Sequence, residues 1–121
     1  MKQLAIIVAD NSPERLRTAL VMATAHVALG GGARLFFQGA AVALLRTPLA
    51  DPDGDNQARN GLPTLGQLFE EAVGLGIRST ACQSSLALLG LSASDFASDI
   101  QWTGMIGFLS TVEPGEQLMV I

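Results

Sequence analysis

The chain has 121 residues, a formal net charge of -4 and 15% charged residues, against 49% apolar ones. That length suits one core rather than two, and its seven basic residues are scattered, without the basic footprint that binding to nucleic acid or an anionic membrane surface requires. The charged share lies below the roughly 25% usual in soluble domains, which points to surface covered by further copies of the chain.

In chain order, Gln3 to Ala9 is a short continuous apolar run with β-branched residues, the pattern of a strand buried on both faces. Asp10 and Asn11 stop it. Ser12 is a good N-cap and Pro13 suits the first helical position, so a helix is expected from Pro13 to about Leu29. Leu16, Leu20, Ala23 and Val27 give it one apolar stripe, and Gly30 to Gly32 end it. Arg34 to Phe37 reads as a second strand. Gly39 to Arg46 is rich in alanine and leucine and is expected to be helical, closed by Pro48.

Pro48 to Pro63 reads as a loop carrying Asp51, Asp53 and Asp55. The alternation is similar to the start of a calcium loop, but Leu62 stands where the twelfth-position glutamate belongs, so no metal is expected. Thr64 and Gln67 form a capping box ahead of a helix with Leu65, Leu68, Phe69, Ala72 and Val73 inward. Ile77 to Thr80 is a short strand and Ala81 to Leu89 a helix, with Leu86, Leu88 and Leu89 packing inward. Ser92 to Ala97 is a small turn or short helix, with Ser92 and Asp95 as a weaker capping box. Ile100 to Thr103 is a strand, Gly104 to Val112 a helix with Met105, Ile106, Leu109 and Val112 inward, and Gln117 to Ile121 the last strand. Five strands with helices between them imply right-handed crossovers and a mostly parallel α/β sheet in a single domain.

The single cysteine, Cys82, excludes a disulfide within the chain and a CxxC dithiol. No phosphate-binding loop or dinucleotide fingerprint is present, no apolar run is long enough to span a bilayer, and no signal peptide fits the start. These readings place the protein in the cytoplasm. Cys82 follows a strand and opens a helix, the position where open parallel sheets build their sites and where unpaired amides stabilise a thiolate. Arg78, Ser79, Thr80 and Gln83 surround it in sequence, and Asp10 and Asn11 lie at the carboxyl end of the first strand, so all six are candidate substrate-binding residues. Cysteine is equally a common small core residue, and composition and position leave both roles open. His26 falls near the far end of its helix, away from the carboxyl edge, so a Cys82–His26 pair is not expected.

Three stretches carry a family resemblance: Ala28-Leu29-Gly30 followed by Ala33-Arg34-Leu35-Phe36-Phe37-Gln38-Gly39; Ala81-Cys82-Gln83-Ser84-Ser85 followed by Leu89-Gly90-Leu91; and the helix from Gly104 with the final strand. Together they span most of the chain, which resembles the DsrE/DsrF-like sulfur-relay family. The resemblance implies a three-layer α/β/α sandwich, usually in trimers or hexamers. It implies no cofactor, and it makes Cys82 the catalytic, sulfur-carrying cysteine. That cysteine takes sulfane sulfur as a persulfide from a donor protein and passes it to an acceptor thiol. Two other functions remain open: a non-catalytic ligand-binding or structural oligomeric module, and a thiol-dependent peroxide-responsive protein whose sulfenic acid needs an outside thiol to resolve it. The chain departs from the family's membrane-associated subgroup in having no long apolar segment, and the Asp51 to Asn60 loop matches no family function.

Overall fold

A computed structural model describes residues 2–121. Five parallel strands form one sheet in the order β4-β3-β2-β1-β5, with β1 Gln3–Val8, β2 Gly32–Phe37, β3 Arg78–Cys82, β4 Gln101–Thr103 and β5 Gln117–Val120. The helices are α1 Pro13–Ala28, α2 Gly54–Arg59, α3 Leu65–Gly74, α4 Gln83–Leu88 and α5 Met105–Ser110, with 3-10 turns at Gly39–Leu45 and Ala93–Asp95. The result is the expected α/β/α arrangement around a parallel sheet.

Local sequence explains most boundaries. The Ser12 side chain accepts from the Arg15 amide with Pro13 at the first turn, and Thr64 and Gln67 complete their capping box. β1 is buried from Leu4 to Val8 because both of its faces are covered. The largest fully buried side chains include Ile6, Leu16, Leu20, Leu35, Phe36, Phe37 and Leu65, so the core is centred on β1 and β2 and the α1 and α3 stripes.

The register sorts the strand residues onto two faces, since side chains alternate along a strand and paired positions share a side. Phe36, Thr80 and Gln101 are aligned across β2, β3 and β4, and Phe36 stacks on Phe108 of α5 with ring centroids 4.5 Å apart. That face therefore carries α5. The steps β1 to β2, β2 to β3 and β3 to β4 all run in one direction across the sheet, whereas β4 to β5 runs back over it. Right-handed crossovers accordingly send the first three connections to one face and α5 to the other. The chain leaves β3 and β4 toward opposite faces, which makes their carboxyl ends a topological switch point, where open α/β sheets commonly place their sites.

Several expectations need correction. The segment from Pro48 to Pro63 is not wholly loop: it contains α2, which buries no residue of its own. Asp51 accepts from the Leu65 amide at 2.9 Å and so caps α3 from a distance in sequence. Residues 39–45 form a 3-10 helix rather than an α-helix. β3 extends through Ala81 and Cys82, and the following helix begins at Gln83. In α5 the inward residue is Phe108, while Ile106 is 88% and Leu109 45% exposed. Val73, Leu88 and Leu89 are exposed as well. Helices of six residues bury a narrow stripe, so the long inward patterns read from α4 and α5 do not fit them.

Candidate functional site

Cys82 is the last residue of β3 and, with extended backbone angles, the N-cap of α4. It is a free cysteine, 4% exposed. In the isolated chain the thiol lies just beneath the surface rather than open to solvent. Its partners sit in the first turn of α4. Burial pushes the Cys82 thiol up, and hydrogen bonding from the Ser85 side chain and amide and the Ser84 amide and side chain pulls it down. The serines prevail, so the thiol ionises below its ordinary range. The resting thiol makes no cap hydrogen bond of normal geometry to the helix, so these groups act chiefly on the thiolate.

Ser85 is the residue that sequence reasoning missed as a site residue. It is 3% exposed, the only buried polar residue among the described residues, and its Oγ accepts from the Gly39 amide at 2.9 Å. With a lone pair taken by Gly39, the Ser85 hydroxyl hydrogen is free to donate to the sulfur. Gly39 holds this amide in place with φ at +61°, a left-handed conformation that favours glycine. The signal was present: a hydroxyl three residues beyond a capping position lies beside the amides that such a cap addresses. Gln38 was missed too. It stands one step past the Phe37–Ala81 pair, level with Cys82, and its Oε1 is buried without a hydrogen-bond partner.

The other candidates divide. Gln83 is exposed in the first turn of α4, next to the sulfur-bearing residue. Thr80 shares the Cys82 face of β3, whereas Ser79 is on the opposite face with Ala81. Asp10 and Asn11 are at the same carboxyl edge but beyond β1, two strand positions from β3. Asp10 accepts from the Asn11 amide at 2.8 Å and lies 3.8 Å from Arg15, so it shapes the turn into α1. Arg78 begins β3, and four residue steps, roughly 13 Å of strand, separate it from Cys82. It is therefore at the amino end of the strand, not folded at the carboxyl end. His26 contacts the Lys2 carbonyl at 2.6 Å, far from this edge. Among the described residues no three His, Cys, Asp or Glu side chains gather into a metal site, and no helix is long and apolar enough to cross a membrane.

A profile of the DsrE/DsrF-like family matches residues 2–121. The chain belongs to the DsrE/DsrF-like family. Three solved structures share its fold. They are MTH1491 of Methanobacterium thermoautotrophicum, a protein of unknown function (TM-score 0.75, 13% identity, all of both chains covered), and ychN of E. coli (0.72, 14%, all of both chains). The third is BT1422 of Bacteroides thetaiotaomicron, also of unknown function (0.69, 20%, 99% of this chain and 95% of the other). In sequence, the uncharacterized protein YrkE of Bacillus subtilis is 33% identical over 57 residues, which is 47% of this chain and 36% of YrkE. The chain thus spans about a third of that relative. This DsrE/DsrF-like domain keeps one cysteine at the carboxyl edge of its sheet, in a setting of serine hydroxyls and amides suited to a thiolate.

The Ser85 contribution is directly testable. Ser85→Ala removes the hydroxyl donor and leaves the half-buried Gly39 amide without its side-chain partner. We expect the Cys82 pKa to rise and alkylation at neutral pH to slow by up to about tenfold. An alkylation-rate profile against pH checks this; superimposable profiles would exclude the role given to Ser85.

Proposed function

We propose that the protein is a sulfur-relay carrier that holds sulfane sulfur as a persulfide on Cys82. The observation that supports this best is the placing of the Cys82 thiol at the end of β3 beside Ser84 and Ser85, whose hydrogen bonding lowers its pKa despite burial. A buried inert cysteine with apolar surroundings shifts the other way. In the loading step the Cys82 thiolate attacks the outer sulfur of a donor persulfide. A bond forms between the two sulfurs, the donor's S–S bond breaks, and the donor leaves as a thiolate. The outer sulfur keeps its proton, and no net oxidation occurs. Unloading reverses the roles, with an acceptor thiolate attacking the outer sulfur and Cys82 leaving. The Ser84 and Ser85 donors that stabilise the resting thiolate also stabilise it as leaving group. Sulfane sulfur transferred to the wild-type chain and not to Cys82→Ser tests this reading.

The setting is a homo-oligomer in the cytoplasm, a trimer or hexamer as the family resemblance implies. Its support is the α5 face of the sheet. α5 has six residues over five strands, and it leaves Leu118 at 48% and Val120 at 65% exposed on its face of the sheet, while its own Ile106 is 88% exposed. Apolar side chains grouped on one face are costly in water and are commonly covered by a second subunit. Light scattering is expected to give a mass several times 12.6 kDa, reduced by Val120→Asp; a single 12.6 kDa species at micromolar concentration excludes the assembly.

A further inference from the structure

The face of a sheet covered by a helix is ordinarily apolar, yet beneath α5 the edge of the sheet is not. Arg34 and Arg78 are direct cross-strand neighbours in β2 and β3, and they share the α5 face. Thr80 follows Arg78 on that face, and Gln101 and Thr103 continue it on β4. With Gly107 of α5 these residues line a cavity of about 300 Å3, which has no acidic side chain in its wall. Like charges placed directly opposite one another on a sheet repel, so such a pair calls for a compensating anion. Arg34 already has one: Glu116 takes two hydrogen bonds from its guanidinium, each 2.9 Å, and Thr111 a third at 2.7 Å. Arg78 has no hydrogen bond or ion pair with any described residue. Gly107 is part of the construction, since a Cβ there would collide with the Thr103 hydroxyl.

From this geometry we propose that the cleft between β3, β4 and α5 binds a small tetrahedral oxyanion, through the Arg78 guanidinium and the donors of Thr80, Gln101 and Thr103. Arg78 supplies the charge and a fork of N–H groups matched to paired oxygens. The hydroxyls and the Gln101 amide add neutral donors, and the cavity stands at the lower end of the range for ligand sites, roughly 300–1,000 Å3, which suits a free anion rather than a nucleotide. This goes beyond the sulfur-relay reading and needs no chemistry at Cys82.

Isothermal titration calorimetry of the reduced full chain with sulfate, and separately phosphate, at ionic strength fixed with chloride, tests the site. Saturable binding of at least one of the two anions is expected. Arg78→Gln should weaken it at least about tenfold, and Thr103→Val, which keeps the side chain's shape, by several-fold. Arg59→Gln, on exposed α2, should leave it unchanged, and Cys82→Ser should bind as the wild type does. The last variant shows that the anion site needs no sulfur on Cys82; a wild-type chain that binds the anion yet takes up no sulfane sulfur would remove the relay function alone. Absence of saturable heat with both anions, or equal affinity in a folded Arg78→Gln protein, overturns the oxyanion site.

Discussion

Phe36→Ala is expected to cost about 3–5 kcal/mol of stability, the range for removing a fully buried aromatic side chain. Phe36 is 0% exposed near the carboxyl end of the central strand β2 and stacks on Phe108 at 4.5 Å. Phe108 is the one buried residue of α5, so its packing on Phe36 anchors that short helix. The cavity left by the ring therefore cannot be closed by a shift of one side chain; it loosens the layer that α5 forms. Domains of this kind have about 5–15 kcal/mol of total stability, so the variant loses a large fraction of it. Urea unfolding should show the midpoint falling by roughly 2 M, given slopes of about 1–3 kcal/mol per M. A loss below about 1 kcal/mol would contradict the packing described for this face.

The fold was legible because its signals are local and repeated. The apolar run of β1, the Ser12-Pro13 start of α1, the glycines after α1 and the Thr64–Gln67 box all act within a few residues, and the structure places each where those rules put it. The errors cluster where helices are short. Ile106 and Leu109 have the spacing of an inward stripe, but α5 turns Phe108 to the sheet instead, since the aromatic contact with Phe36 outweighs the periodic pattern. α2 carries an acidic start and no apolar stripe, so nothing in its pattern announced a helix. At the site, the carboxyl-edge position of Cys82 followed from the order of strand and helix. The Gly39–Ser85 hydrogen bond, which spans 46 residues, joins two connections that only the completed sheet brings together. For the same reason Arg78, four residues before Cys82, lies at the far end of the strand: an extended chain carries near neighbours apart.

The lowered thiol pKa also ties stability to pH. A thiol that ionises at lower pH when folded than when unfolded binds fewer protons in the native state between the two values. Its contribution is complete above the unfolded thiol pKa, near 8.5, and is lost as the pH falls through the folded value. Cys82→Ser removes this dependence. It also removes the only sulfur able to form a persulfide through a cysteine, because no second cysteine exists in the chain. The expected effect on loading is thus all or none, and larger than any change in rate from the surrounding serines. The rival peroxide-responsive reading would add oxygen to the same atom, and the mass of the adduct separates the two. The most direct measurement is the intact mass of the reduced protein after incubation with a sulfane-sulfur donor in the absence of oxidant. A gain of about 32 Da, one sulfur atom, that vanishes on reduction and is absent from Cys82→Ser is the predicted result. A wild-type protein that gains no sulfur, with a thiol that titrates above about 9, would contradict the persulfide carrier.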